Sequence, residues 1–216
     1  MGFGSSARRP HAPTLTTMLL LMALACAVLP LQAQSQPQVA VVFNLQSNDL
    51  TVIDAKYRVF YNKFEKKTLP IQGYDLRGAI QDEFMTMLAA DTRYKWRPAE
   101  AEDKLDAARL ADEKHRTPEM VSSAKADRVL VVDVVGFGAW VTGLAKDRME
   151  VLAYVTMLDR ATGRKLWKEK IFEKVGFSGD LQKLQAEDQK EMKQGINSLI
   201  EKACQATKTK MADNKV

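Results

Sequence analysis

Ala126-Asp127-Arg128-Val129-Leu130-Val131-Val132-Asp133-Val134-Val135 contains the most apolar run of the chain beyond residue 33. Within Val129–Val135 only Asp133 interrupts the valines and leucine. β-Branched side chains suit a pleated, extended backbone, and near-continuous apolar character without strict alternation fits a strand covered on both faces. This spacing predicts that Val129–Val135 is a central strand. Gly136 and Gly138 bracket Phe137 and predict a bulge or a close backbone approach as the strand leaves the sheet. Trp140 to Asp147 then reads as a connection.

Downstream, Met149, Val151, Ala153, Val155 and Met157 alternate with Glu150, Leu152, Tyr154, Thr156 and Leu158, which predicts a long strand with both faces partly apolar. Asp159-Arg160-Ala161-Thr162-Gly163 is a hairpin loop, because an aspartate accepts bonds from the turn backbone and a glycine tolerates positive φ. Arg164–Glu173 is the returning strand and offers Leu166, Trp167, Ile171 and Phe172 for packing. Gly176–Gly179 breaks the chain before a long helix capped by Ser178 or Asp180. Leu181, Leu184, Met192, Ile196, Leu199, Ile200 and Ala203 form its apolar stripe, weakest at Asp188. The helix is expected to reach about Thr207, leaving residues 208–216 as a disordered tail.

Upstream, residues 34–38 read as a flexible leader and Val39–Leu45 as a short strand. Asn44–Asp49 supplies turn chemistry, and Thr51–Phe64 suits one or two strands. Tyr57, Val59 and Tyr61 share one face of that segment, and Arg58, Phe60 and Phe64 share the other. Asp75 is the N-cap of a helix whose stripe is Leu76, Ile80, Phe84, Met87 and Leu88. Tyr94–Arg97 is a brief strand ended by Pro98, and Glu100–Glu113 is a charged helix carrying Leu105 and Leu110. Thr117-Pro118-Glu119 starts a short helix running to Lys125. The fold expected is α/β (or α+β): a single mixed β-sheet flanked by helices, with a long C-terminal helix, in one domain over residues 39–207.

Residues 1–33 have the three parts of an export signal: Arg8 and Arg9, an uncharged run from Met18 to Leu29, and Leu31-Gln32-Ala33 before a cut. The apolar run is shorter than the roughly 20 residues of a membrane-spanning helix, so cleavage is expected and the mature chain begins at Gln34. A lipid anchor is the alternative, because Ala23-Leu24-Ala25-Cys26 resembles a lipobox. The departure is Ala23, where leucine is favoured. Removing 33 residues from 216 leaves 183, suited to one core, and loss of Arg8 and Arg9 lowers the formal charge from +5 to +3. That interspersed charge argues against nucleic acid as a partner. Cys204 alone survives the cut, read as a small buried residue or as a thiol pairing with another chain.

Catalytic templates find little support. His115, in Glu113-Lys114-His115-Arg116, has no companion histidine or cysteine pair for zinc and reads as a surface residue. Gly176-Phe177-Ser178-Gly179 lacks the residue that a nucleophile elbow places between serine and second glycine, so Ser178 reads as a cap. Asp133 is either a general acid-base carboxylate or, more simply, an acceptor for a neighbouring loop. Gly136-Phe137-Gly138 lacks the remainder of a phosphate loop.

Residues 126–133, the long strand after them and Leu158-Asp159-Arg160-Ala161-Thr162-Gly163-Arg164-Lys165-Leu166-Trp167 carry a family likeness. They resemble the periplasmic α/β domain shared by the Tol translocation protein amino-terminal domain, the curli-secretion lipoprotein and lipoprotein activators of peptidoglycan synthases. The likeness covers roughly Val39 to Ala206, and Thr51–Phe64 looks like an insertion into it. It implies an exported cell-envelope accessory protein, periplasmic or held at the outer membrane through Cys26, that binds other envelope proteins and is not an enzyme. No catalytic, cofactor-binding or metal residue carries over, since the matching positions hold the fold. The alternative is a periplasmic hydrolase using Ser178 or Asp133. A cleft joining either residue to His115 or a second carboxylate favours catalysis, and an exposed apolar patch near Trp140 or Trp167 favours docking.

Overall fold

The computed structural model describes residues 36–54, 65–141, 147–177 and 184–214. Among them, the valine-rich segment is the axis of one mixed sheet of seven strands. β5 (Arg128–Val141) pairs antiparallel along nearly its whole length with β6 (Arg148–Asp159). Its opposite edge is shared by two strands in succession, β1 (Gln38–Leu45) and β2 (Asp49–Asp54), both parallel to it. β4 (Lys95–Pro98) lies parallel beyond β1, β3 (Glu65–Pro70) antiparallel beyond β2, and β7 (Lys165–Gly176) antiparallel beyond β6.

A bulge in β5 explains how so long a strand stays in one core. Val134 faces Ala153 and Gly136 faces Leu152, so Val135 is an extra residue opposite β6. One extra residue inverts the facing of every later side chain. Leu130, Val132 and Val134 before the bulge, and Phe137, Ala139 and Val141 after it, consequently all enter the same cluster. The bulge is where the two glycines predicted it. The strand nevertheless does not leave the sheet there: it continues to Val141, and Trp140 is a strand residue rather than part of a connection.

The inner face of the sheet is covered by α1 (Leu76–Ala89) and α4 (Lys190–Asp213). Leu76, Ile80, Phe84 and Leu88 recur at helical spacing on α1 and are 0–3% exposed. The Asp75 carboxylate starts this helix by accepting from the Gly78 N–H at 2.9 Å. Met192, Ile196, Leu199, Ile200 and Ala203 are the matching stripe of α4. Each large side chain so buried contributes roughly 1.5–3 kcal/mol, which makes this layer the main source of stability. At Gly195 a Cβ would stand 2.5 Å from Met149 Sδ, so the absent side chain lets α4 approach β6 closely.

On the outer face, α2 (Ala107–Ala111) and α3 (Pro118–Ser122) cover only the half of the sheet where β5 begins. Leu110 and Val121 pack there against Val42, Val129, Val131 and Leu158. The central strand is therefore apolar on both sides over its first half, as its composition requires.

Several boundaries differ from those expected. The helix expected over Glu100–Glu113 is a single 3-10 turn, Ala101–Asp103, then α2. Lys104 adopts φ 52°, and the Asp103 and Asp106 carboxylates bind backbone N–H groups, an alternative to continuous helix. The helix after Thr117 ends at Ser122, and the Thr117 side chain makes no cap bond. Asp188 and Gln189, with φ 53° and 61°, interrupt the C-terminal helical segment at its weakest sequence position, so α4 begins at Lys190. At the other end α4 extends to Asp213 rather than stopping near Thr207, because Met211 is 2% exposed and continues the apolar stripe. The expectations for Tyr57, Arg58, Val59, Phe60, Tyr61 and Phe64, for Ser178, Asp180 and Leu181, and for residues 1–33 with Cys26 lie outside the described residues.

Candidate functional site

Asp133 has a structural partner set. It stands beside Asn44 in the β1–β5 register, and its Oδ1 accepts from Asn44 Nδ2 at 2.6 Å. Gln46 Nε2 donates to Oδ1 at 3.2 Å and to Oδ2 at 3.3 Å. Gln46 begins the short crossing from β1 to β2, and its N–H donates to the Val134 carbonyl at 3.1 Å. The carboxylate thus fastens the point where the edge of β5 passes from one strand to the next. A buried carboxylate needs such donors, since desolvation without them is costly. No second carboxylate or histidine is among these partners.

His115 is elsewhere. Its side chain is 80% exposed, and Nδ1 lies 2.6 Å from Asp112 Oδ2 in the turn that follows α2. Neither His115 nor Asp112 is among the hydrogen-bond partners of Asp133 given above, and among the described residues no three acidic, histidine or cysteine side chains converge as a metal site. Cys204 is 3% exposed, and burial pushes its thiol pKa up to about 12, so it is held as an apolar core residue.

A second buried carboxylate is also structural. Asp103 receives Arg97 Nη1 and Nη2 at 2.6 and 2.7 Å and the N–H groups of Glu100 and Lys125 at 2.9 and 2.8 Å. Arg97, then the backbone donors, hold it well below the ordinary carboxylate range. The group ties β4 to the segment that leads into β5.

The surface most unlike the rest is the outer face of the sheet beyond the bulge. No described helix packs on this half, and the pleat presents Ile53 of β2, Trp140 of β5, Leu152 and Tyr154 of β6, and Phe172 of β7. Phe172 is 49% exposed and the other four are partly buried. Leu152 lies directly opposite Phe172 in the β6–β7 register, so their side chains are neighbours.

The polar groups within this face are paired with one another. Trp140 Nε1 donates to Glu150 Oε1 at 2.7 Å, and Arg148 stacks over the Trp140 ring at 5.1 Å while its Nε lies 3.4 Å from Glu150 Oε2. Gly138 sits opposite Glu150, and a Cβ there would meet Glu150 Cγ at 3.2 Å; the glycine gives the carboxylate room to reach Trp140. Lys168 Nζ lies 4.8 Å from the centre of the Tyr154 ring. Lys66, Lys170 and Lys174 are exposed on the flanking strands β3 and β7. The face is apolar at its centre with a cationic rim.

The sequence expectations divide between the two tryptophans. Trp140 belongs to this face, whereas Trp167 is 6% exposed and turned into the inner core with its indole N–H unpaired. Phe172, which the sequence offers for packing, is half exposed. Its outward facing follows from the register with β6, which β7's own sequence does not contain.

No family model matches the chain, and no curated protein does. Solved structures of similar arrangement include a protein from Xanthomonas campestris, 11% identical over 85% of each chain with a TM-score of 0.46. A hypothetical protein from Chlamydia trachomatis is 13% identical over 78% of this chain and 95% of its own, with a TM-score of 0.49. A lipoprotein from Neisseria meningitidis is 15% identical over 72% of this chain and 96% of its own, with a TM-score of 0.36.

Proposed function

We propose that the chain is an exported cell-envelope accessory protein that binds another envelope protein through the outer half of its sheet, which no described helix covers. The observation that carries this reading is the pairing of Leu152 with the 49%-exposed Phe172, beside Trp140 and Ile53, on a sheet whose inner face is covered by α1 and α4. Leaving such side chains in water forfeits the burial that the rest of the molecule achieves, and a partner recovers it. The export reading of residues 1–33 places the domain in the periplasm, with attachment through Cys26 as the alternative. No described helix is long and apolar enough to cross a membrane. The likeness to the Tol, curli-secretion and synthase-activator domain agrees with a binding role. The amide clamp on Asp133 and the pairing of His115 with Asp112 support a reading without catalysis.

A photoreactive residue in place of Phe172 tests this in living cells. It is expected to yield a reproducible adduct with one envelope protein, while the same residue at Gln205 on the exposed side of α4 yields none. Equal labelling from both positions contradicts the proposal. In the isolated complex, Leu152→Asp is expected to weaken binding about 30-fold, the effect of losing a hot spot of roughly 2 kcal/mol.

A further inference from the structure

The end of the sheet at which the described chain enters has its own chemistry. β1, β4 and β5 begin there and β6 ends there, so Trp96, Val39, Arg128 and Asp159 stand side by side across four strands, with the Lys95–Gln38 pair one residue further toward this end. The Lys95 N–H donates to the Pro37 carbonyl at 3.0 Å and fixes the entering chain to this end. α1 and α4 also finish here, where Arg93 Nη1 lies 3.5 Å from the Met211 carbonyl.

Lys95, Arg160, Arg164 and Lys208 are exposed at this end. The nearby carboxylates are turned onto the protein: Asp91 onto Arg93, Asp127 onto the Gln38 N–H, and Asp159 onto the N–H and hydroxyl of Thr162. Leu166 supplies a second and different signal. Lys165 faces Leu158 and Trp167 faces Met157, so Leu166 is the extra residue of a bulge, and it is 46% exposed beside this basic hairpin. The bulge seats Trp167 in the core and puts a leucine in water among cations.

We infer that this basic end, with Arg160 and Arg164 in the hairpin beside Leu166 and Lys95 on the far strand of the same end, docks onto an anionic lipid bilayer surface. Cations satisfy lipid phosphates while an aliphatic side chain enters the headgroup boundary, a combination that a nucleic-acid backbone does not reward. The surface is remote from the outer face described above, which lies beyond the bulge at the far half of the sheet.

The experiment is co-sedimentation of the chain from Gln34 with vesicles containing about 30% phosphatidylglycerol in phosphatidylcholine, against vesicles of phosphatidylcholine alone. Binding to the anionic vesicles only is expected, and it is lost near 1 M salt, where the screening length falls to about 3 Å. Removing two surface cations in the Arg160→Ala, Arg164→Ala variant is expected to lower partitioning about 25-fold, fivefold per charge. Both side chains are exposed, so an unchanged thermal melt shows that the fold is intact. Equal binding to both vesicles, binding to neither, or undiminished binding by the variant overturns the inference. So does variant-sensitive binding of a single-stranded oligonucleotide without vesicle binding. None of these outcomes bears on crosslinking from residue 172.

Discussion

Replacing Asp133 by alanine separates a fold-holding carboxylate from a working one. The side chain is 8% exposed and accepts from Asn44 at 2.6 Å and from Gln46 at 3.2 and 3.3 Å. Hydrogen bonds to a charged acceptor contribute roughly 1.5–3 kcal/mol each, and an amide left unpaired loses its share. The Gln46 contacts are long, Gln46 is exposed and Asn44 is half-buried, so water recovers part of the loss. We expect Asp133→Ala to cost about 2 kcal/mol in urea unfolding, a midpoint shift of about 1 M for a slope near 2 kcal/mol/M. Asn44→Ala alone should cost about 1 kcal/mol, and the double variant should cost less than the two together, giving a coupling near 1 kcal/mol. Residues kept for chemistry commonly behave in the opposite way, since removing an active-site carboxylate relieves strain and stabilises. A neutral or stabilising Asp133→Ala, or independent effects in the cycle, would refute the assignment of Asp133 to the β1–β2 crossing.

Three further outcomes follow from the geometry. Asp103 has its folded pKa lowered by Arg97 first and by backbone N–H groups next, so the stability it contributes is full above the unfolded carboxylate value near 4 and is lost as pH falls below it. Asp103→Asn should cost about 3 kcal/mol at neutral pH and remove that part of the acid sensitivity, as read in pH-dependent denaturant melts. Gly163 has φ +66° and a Cβ there would fall 2.5 Å from Pro118 Cα, so Gly163→Ala should lose about 2 kcal/mol and roughly 5 °C in Tm. Cys204, with its thiol pushed up to about 12 by burial, should ignore a thiol reagent at pH 8 in the native protein and react fully in denaturant; rapid native labelling would contradict its placement in the core.

The legible parts of the fold were those in which one segment's own side chains set the answer. Val129–Val135, the stripe Leu76, Ile80, Phe84 and Leu88, and the Asp159–Gly163 turn carry their structure in local periodicity and turn chemistry. Position 163 needed glycine for its φ, as its place in the loop implied. What escaped depends on partners far along the chain. The continuation of β5 to Val141 is stabilised by β2 and β6, and only the bulge at Val135 makes Phe137, Ala139 and Val141 core residues. Asp103 lies in the segment expected as one charged helix, yet its partners include Lys125, twenty-two positions away. The candidate surface followed the same rule. Trp140 was singled out with Trp167, but only the register with β6 and β7 separates the outward ring from the buried one and sets Phe172 beside Leu152.

On the proposed reading, the outer half of the sheet that no described helix covers is open in the isolated domain and covered in its working state. Oxidative side-chain footprinting of Trp140, Tyr154 and Phe172, read in the purified protein and again in intact cells, tests it directly. The account predicts ready labelling of Phe172 and partial labelling of Trp140 and Tyr154 in the purified protein, with protection of all three in cells. Labelling that is already absent in the purified protein, or that is unchanged in cells, contradicts it.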